Sequence, residues 1–248
     1  GIELKEAFNQ INRYERHSFG AGYGLFRYIQ LYVISNDLNT QYLSNNPINR
    51  RDALQCFYWT DEKNNRISKL YDFTEAFLNR AHLHTMISKY IVLNESQKML
   101  MVLRPYQYYA TEAIVNQVRT HALKKEPEYG YIWHTTGSGK TLTSFKTSQI
   151  LTRLPEVYKV VFVVDRKDLD YQTIKEFNSF SKDSIDGTNN TKALVSQLKG
   201  QTKLIVTTIQ KLNNAVQSKR YGEQFEHLKN KRIILIFDEC HRSQFGDT

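Results

Sequence analysis

The stretch WHTTGSGKT, residues 133–141, has the composition of a phosphate-binding loop between a strand and a helix. Glycine at such a turn lets backbone N–H groups point at phosphate oxygens, and the helix adds the positive end of its dipole. In the pattern G-x-x-x-x-G-K-[ST], Lys140 would reach the β- and γ-phosphates and the Thr141 hydroxyl would hold Mg²⁺. His134 replaces the first glycine of that pattern, so the prediction rests on the restrictive form TGSGKT. The candidate nucleotide-binding residues are Thr136, Gly137, Ser138, Gly139, Lys140 and Thr141.

An acidic strand end accompanies this loop. Residues 232–238 read RIILIFD, an apolar run that ends at Asp238 and is followed by Glu239. In this position Asp238 would hold Mg²⁺ through water, and Glu239 would orient and deprotonate the attacking water. Two strand–helix units separate Lys140 from Asp238, so both can lie at one edge of a sheet. The alternative is an ordinary acidic turn, but together with the loop the pair predicts hydrolysis of ATP.

Apolar strands alternate with helices through the second half of the chain. Strands are predicted at residues 129–134, 159–165, 203–208 and 232–238, with helices at 140–151 and 168–177. Near-continuous apolar strands alternating with helices are typical of a parallel sheet covered on both faces. The predicted fold class is therefore α/β.

The first half has a less regular pattern. Residues 2–5, 25–35 and 54–60 are predicted as strands, and residues 6–16 and 72–90 as helical. The segment LRPYQYYA, residues 103–110, then precedes the phosphate-binding loop. Pro105 suits the first position of a helix, and Gln107 has the two amide groups needed to bond the edge of adenine. The alternative is an amphipathic aromatic helix without a ligand.

Charge and composition limit the classes of partner. The chain carries 34 Lys and Arg against 25 Asp and Glu, a formal net charge of +9. Most of the excess falls in residues 101–248, which is typical of a domain with a polyanionic partner such as nucleic acid, and equally of a soluble protein with a merely basic surface. Cys56 and Cys240 form no metal-spaced pair, which indicates a reducing, cytoplasmic environment. Apolar runs are shorter than the ~20 residues that cross a bilayer.

The N-terminus carries a second candidate site. In IELK, Glu3 and Lys5 would share one side of a strand, where Glu3 ligates Mg²⁺ and Lys5 stabilises the attacking water or the phosphate. In NQINRY, Gln10 and Tyr14 lie one helical turn apart on one face. Glu-x-Lys alone is usually surface charge. With the helix behind it, the segment resembles the PD-(D/E)xK nuclease fold of RecB type, with its Q-x-x-x-Y helix.

The second half resembles superfamily 2 helicases. The segments TTGSGKT, VVDRKDLDYQT, VTTIQ and DECH follow the order of helicase motifs I, Ia, Ib/Ic and II, and RPYQ resembles the adenine-reading Q motif. The resemblance implies a RecA-like sheet and contacts to the nucleic-acid backbone near Arg166 and near Thr207 and Thr208.

Across the whole chain, the nuclease-first order and the ending DECHRSQ resemble the R (motor and endonuclease) subunit of type I restriction–modification enzymes. The resemblance implies ATP-driven translocation of double-stranded DNA, cleavage at distant sites, and assembly with methylation and specificity subunits. Residues 1–98 would then be the end of the nuclease domain with a connector, and residues 99–248 the first RecA-like domain. The alternatives are a stand-alone superfamily 2 helicase–nuclease of DNA repair and an ATP-binding interaction module without catalysis.

The same resemblance raises an expectation about the chain ends. The nuclease's leading Asp is expected before Gly1, and helicase motifs III to VI after Thr248. Because the second motor lobe supplies an arginine that assists phosphoryl transfer, residues 1–248 alone are expected neither to cleave DNA nor to show DNA-stimulated ATP hydrolysis.

Overall fold

The computed structural model describes residues 3–19, 28–47, 49, 51–120, 129–135, 137–164, 174–178, 186–187, 190–218, 221 and 228–238. The chain divides into two compact units, residues 1–110 and 111–248, later than the boundary predicted after residue 98. Hydrogen bonds hold the intervening segment in the first unit: Tyr42 donates to the carbonyl of Leu103 at 2.8 Å, and Tyr109 donates to that of Thr60 at 3.0 Å.

The first unit opens with a helix packed on a hairpin. Helix α1 spans Leu4–Tyr14 and continues as a π-helical turn, Glu15–Phe19. Strands β1, Leu31–Ser35, and β2, Thr40–Ser44, pair antiparallel. Phe8 and Ile11 of α1 are buried against Ile34 and Leu43 of the hairpin. This apolar contact holds α1 against the strands, because burying such side chains is the main favourable contribution to folding.

The rest of the first unit surrounds an aromatic core. Short strands β3, Trp59–Thr60, and β4, Arg66–Ile67, pair antiparallel, as do β5, Ile91–Asn94, and β6, Met99–Val102. Helices α2, Leu70–Ala76, and α3, Arg80–Thr85, precede a π-helical turn, Met86–Tyr90. The fully buried aromatic side chains here are Tyr42, Trp59, Phe73, Phe77 and Tyr90.

Two predictions for residues 54–90 needed correction. Residues 72–90 are mostly helical, but the helix breaks between α2 and α3, where Asn79 caps the second helix by accepting from the N–H of Ala81 at 3.0 Å. Residues 54–60 are a strand only at Trp59–Thr60, and Phe57 adds a single bridge to Tyr42. Trp59 is buried in the aromatic core and the Phe57 ring lies 6.0 Å from that of Tyr42, which explains the apolar pattern without a continuous ladder.

The second unit contains a parallel four-stranded sheet in the order β10-β7-β9-β8. Its strands are β7, Lys159–Val164; β8, Asp186–Gly187; β9, Leu204–Thr208; and β10, Ile233–Phe237. The helices are α4, Pro105–Thr120, which begins in the first unit; α5, Lys140–Leu151; α6, residues 174–178; α7, Thr191–Lys199; and α8, Ile209–Gln217. The α/β class with a parallel sheet is confirmed.

Helices cover both faces of this sheet. Val161 and Val163 belong to one buried cluster with residues of α7 and α8. On the opposite face, the ring of Phe162 lies 5.1 Å from that of Phe177, which in turn lies 5.3 Å from Phe145 of α5. Every residue of β7 is buried. This is why its sequence is continuously apolar rather than alternating.

The strand predicted at residues 129–134 was wrong. Residues 129–135 have no regular secondary structure, and the side chains of Tyr129 and Trp133 are each 87% exposed. A strand needs a neighbour for its backbone N–H and C=O groups, and this segment forms no ladder with the described part of the sheet, in which β10 is an edge strand. Within the described residues, no helix is long and apolar enough to cross a membrane.

Candidate functional site

The phosphate-binding loop of the second unit takes the backbone conformation that its glycines allow. Gly137 has φ +75° and Gly139 has φ +80°, both in the left-handed region that other residues rarely adopt. Between them, the Ser138 hydroxyl and N–H donate to the carbonyl of Thr135 at 2.7 and 3.3 Å. Thr136, also a candidate, lies outside the described residues. The loop is therefore a tight turn built on local hydrogen bonds.

The loop leads directly into the N-terminus of α5. Gly139 is the N-cap residue and Lys140 the first helical residue, with Thr141 following it, so the predicted helix start is confirmed. Because Gly139 has no side chain, it cannot occupy the first N–H groups of the helix as Ser or Asp would. A helix N-terminus of this kind fits a phosphate group, with Lys140 adding positive charge and Thr141 a hydroxyl.

His134 lies within electrostatic range of Lys140. Burial lowers the pKa of His134, and the positive charge of Lys140 lowers it further. A lowered pKa keeps the imidazole neutral at neutral pH. The residue that replaces the first glycine of the pattern therefore adds no fixed charge beside Lys140.

Asp238 directly follows β10 at the carboxyl edge of the sheet. Its N–H donates to the carbonyl of Val163 at 3.0 Å, which extends the pairing of β10 with β7 by one bond. Helix α5 ends at the opposite edge, since the carbonyl of Thr152 accepts from Lys203, which precedes β9, at 3.2 Å. Twelve helical residues rise ~18 Å. That length is sufficient for the N-terminus of α5 to reach the carboxyl edge. Glu239 lies outside the described residues.

Gln107 caps the N-terminus of the helix on which it lies. Helix α4 begins at Pro105, as predicted. Gln107 is 3% exposed, and its Oε1 accepts from the N–H of Arg104 at 2.9 Å. This is the bond that a Gln at the third helical position makes back to the N-cap residue. Adenine recognition by Gln107 remains a prediction, and the capping bond occupies one of the two amide groups it would use.

The residues expected near nucleic acid are only partly described. Thr207 and Thr208 end β9 and are fully buried, and Thr208 Oγ1 accepts from the N–H of Lys211 at 3.3 Å as the N-cap of α8. Arg166 lies outside the described residues. The contacts with a nucleic-acid backbone therefore remain a prediction.

In the first unit, Gln10 and Tyr14 lie together as predicted. Both are exposed on α1, and Gln10 Nε2 donates to the Tyr14 hydroxyl at 2.5 Å. Their spacing of four residues places them on one face of the helix. The pair forms a small polar surface one turn long.

The strand predicted for Glu3 and Lys5 was wrong in its second half. Glu3 is extended, but it is the N-cap residue of α1, and Lys5 already lies within the helix. The apolar spacing of Leu4, Phe8 and Ile11 explains this, because it carries the helical period back to Leu4. Glu3 and Lys5 are both exposed. They do not share one side of a strand here.

Metal binding receives limited support from the structure. Within the described ranges, no group of three or more His, Cys, Asp or Glu is placed to hold a metal ion. Glu3 offers an exposed carboxylate, which fits one ligand of a Mg²⁺ ion. For the phosphate-binding loop, Thr141 and Asp238 offer the hydroxyl and carboxylate that Mg²⁺ prefers.

Sequence analysis missed Arg51, a buried arginine with no motif around it. Its side chain is 0% exposed and pairs with Glu15 of the π-helical turn at 2.7 Å. The signal in the sequence would have been Glu15 itself. Glu15 continues the apolar face of α1 by one turn, where its partly buried carboxylate gains from a partner.

The left-handed turn at Gly137 makes a testable prediction. Gly137→Ala should lower the free energy of unfolding by about 1–2 kcal/mol, because Cβ is strained at this φ. An added Cβ would meet nothing within 4 Å at Gly137 or at Gly130, and only Gly137 has a positive φ. Gly130→Ala is therefore the matched control, expected to leave stability unchanged or raise it by less than about 1 kcal/mol. Equal effects in denaturant unfolding would contradict the assignment to φ.

Comparison with known proteins identifies the family of each half of the chain. Residues 106–248 match the family model of the SWI2/SNF2 ATPases, and residues 1–50 match that of the type I restriction enzyme R protein N terminus. The chain is 52% identical over 248 residues to the endonuclease subunit of a type I restriction enzyme from Staphylococcus saprophyticus. That match covers 100% of this chain and 26% of the relative. This chain therefore spans about a quarter of the length of that relative.

Two further matches have different coverage. The C-terminal part of a putative type I restriction enzyme endonuclease subunit, from Mycoplasma pneumoniae, is 46% identical over 196 residues, which is 76% of this chain and 94% of that protein. A solved nuclease-deletion mutant of the Type ISP restriction-modification enzyme LlaGI, in complex with a DNA substrate mimic, is 19% identical with a TM-score of 0.40. It covers 54% of this chain and 17% of that chain. From the family models and the sequence relatives, this chain belongs to the endonuclease (R) subunits of type I restriction enzymes, and its residues 106–248 belong to the SWI2/SNF2 ATPases.

Proposed function

We propose that this chain is part of a DNA translocase and endonuclease that moves double-stranded DNA by ATP hydrolysis and cuts it at distant, non-specific sites. The observation that carries the proposal is the phosphate-binding loop. Two glycines with left-handed backbone conformation lead into the N-terminus of α5, and Asp238 directly follows a strand of the parallel sheet. Membership of the SWI2/SNF2 ATPases supports ATP as the nucleotide.

In the proposed motor, each residue has a separate task. The N–H groups at the start of α5 and the ammonium of Lys140 bind the phosphates. Thr141, and Asp238 through water, would hold Mg²⁺, which would neutralise charge on the phosphate oxygens. Glu239 orients the attacking water and accepts its proton. Gln107 selects adenine. To do so, its amide must give up its capping hydrogen bond and form hydrogen bonds with the base instead.

In the proposed nuclease, exposed side chains of α1 and of its N-cap residue carry the chemistry. Glu3 would hold Mg²⁺, which would polarise the scissile phosphate and orient the attacking water. Lys5 stabilises the attacking water or the scissile phosphate, while Gln10 and Tyr14 position the site. The match of residues 1–50 to the R protein N terminus supports a role for this segment in the same protein.

The proposed partners are double-stranded DNA and the methylation and specificity subunits of the same cytoplasmic enzyme. The basic excess of the chain, +9 overall, supports a polyanionic partner. The full-length protein, assembled with those subunits, should displace a third DNA strand annealed far from the recognition sequence, and should do so only with ATP and Mg²⁺. Displacement without ATP, or none with it, would contradict translocation. Cleavage products at scattered positions would support distant cutting.

A further inference from the structure

Arg51 joins α1 to the hairpin through directional polar contacts. Its Nη1 lies 2.7 Å from Glu15 Oε2 and donates to Asn12 Oδ1 at 2.8 Å. Its Nη2 donates to Asn45 Oδ1 at 2.9 Å and to the carbonyl of Asn46 at 2.6 Å. Asn45 and Asn46 directly follow β2. The guanidinium therefore bridges one end of α1 to the end of the hairpin.

Arg51 also contacts an aromatic ring, and its two helical partners lie at the end of α1. The guanidinium carbon of Arg51 lies 5.3 Å from the centre of the Tyr32 ring on β1. Asn12 lies in the last turn of α1, and Glu15 is the first residue of the π-helical turn. Arg51 thus contacts both sides of the junction between the two helix types. Tyr14 lies between these two contact points. Junctions of this kind are frequent at functional sites.

Stability alone does not account for a charged pair in this position. Leu4, Phe8, Ile11 and Glu15 follow one another at helical spacing, so an apolar side chain could occupy the place of Glu15. The Arg51 side chain is fully buried and that of Glu15 is 28% exposed, and taking such charges out of water costs about as much as their attraction returns, so apolar replacements are often as stable. The charged pair differs from an apolar contact because its hydrogen bonds are directional. Apolar packing is non-directional and leaves α1 free to rotate slightly, whereas four polar contacts fix its rotation.

We propose that Arg51 is a positioning residue for the nuclease site, acting through α1 on Gln10 and Tyr14. The inference rests on the proposed function of α1. Arg51 is buried against the inner side of α1, whereas Gln10 and Tyr14 are exposed. It fixes the rotation at which these two side chains face the DNA, and it touches neither DNA nor metal itself.

The first test is Arg51→Lys in the full-length protein assembled with its partner subunits. Lysine keeps the charge and one contact with Glu15 but lacks the planar fork that reaches four oxygens. Cleavage in a single turnover should slow by about 10- to 100-fold, because a small misplacement of a reacting group has effects of this order. ATP hydrolysis should stay within about twofold of the parent. Arg66→Lys, an exposed arginine stacked on Tyr58, is the control and should cleave normally.

A double-mutant cycle separates positioning from general loosening. Tyr14→Phe removes the hydroxyl that Gln10 contacts and should itself slow cleavage. Because Arg51 is proposed to act through Tyr14 and Gln10, adding Arg51→Lys to Tyr14→Phe should cost clearly less than it does in the parent. Fully additive effects would overturn the inference, as would a Tyr14→Phe variant that cleaves like the parent.

An apolar replacement of the pair shows whether folding explains the effect. Glu15→Leu with Arg51→Met should melt at the parent temperature or above, yet cleave as slowly as Arg51→Lys. Parental cleavage by this double variant would show that packing suffices and would overturn the inference. If the double variant is unstable, Arg51→Lys in the cycle decides the question by itself.

Glu3→Ala, measured in parallel, separates the inference from the function on which it rests. If Glu3→Ala cleaves normally, the nuclease assignment of α1 is wrong and the inference falls with it. If Glu3→Ala is inactive while Arg51→Lys cleaves normally, the nuclease assignment survives and the positioning role alone is wrong.

Discussion

Lys140→Ala in the full-length protein should abolish DNA-stimulated ATP hydrolysis, with a fall of at least about 100-fold. Lys140 begins α5 directly after Gly139, whose backbone is left-handed, and its ammonium is proposed to bind the β- and γ-phosphates. Without that charge, the phosphoryl group that is transferred loses its stabilising partner. Steady-state release of phosphate, with and without duplex DNA, measures the effect. DNA cleavage should be lost as well, since in the proposed function distant cutting depends on translocation.

Two comparisons make this result specific. Lys192→Ala removes an exposed lysine from the first turn of α7 and should hydrolyse ATP like the parent. Glu239→Gln should bind ATP but not hydrolyse it, because the amide cannot accept the proton of the attacking water. Normal turnover by Lys140→Ala or by Glu239→Gln would remove the assignment of the phosphate-binding loop and of the acidic strand end.

Lys5→Ala should eliminate DNA cleavage, by at least about 100-fold, while ATP hydrolysis and translocation continue. Lys5 is exposed on α1 in the first unit, whereas Lys140 and Asp238 belong to the second. Loss of the ammonium removes the group proposed to stabilise the attacking water or the phosphate. Linearisation of circular DNA measures cleavage, and phosphate release from the same reaction measures the motor.

The control for Lys5 lies on the same helix. Arg13→Ala removes an exposed cation from the last turn of α1 and should leave cleavage unchanged. Equal loss of cleavage in both variants would indicate that α1 acts through its total charge. Loss of ATP hydrolysis in Lys5→Ala would show that this segment has a structural role, and would contradict the nuclease assignment.

Local signals in the sequence predicted the motor elements closely. Helix α5 has the bounds predicted, residues 140–151, and α4 begins at Pro105. The observed strands β7, β9 and β10 differ from the predicted ones by at most one residue at each end. These elements are readable because their information is local. Buried parallel strands are continuously apolar, glycine marks the turn before α5, and proline suits the first helical position.

The errors have a common physical cause. Residues 129–134 have strand composition but no partner in the described sheet, and Leu4 and Lys5 join a helix because Phe8 and Ile11 bury the same face. Residues with strand composition form a strand only when they pack against neighbouring strands, and those neighbours lie elsewhere in the chain. Sequence spacing also missed the capping bond of Gln107, which competes with its predicted contact to adenine.

The sequence by itself therefore determined the α/β class, the phosphate-binding loop with Lys140, and the Gln10–Tyr14 face, since each depends on residues a few positions apart. The tertiary structure alone decided the strand order and the burial of Arg51. Arg51 lies 39 positions from Asn12, and a contact at that separation forms only when α1 packs on the hairpin. Local periodicity contains no information about such a pair, because the energy that brings it together comes from burial of Phe8, Ile11, Ile34 and Leu43.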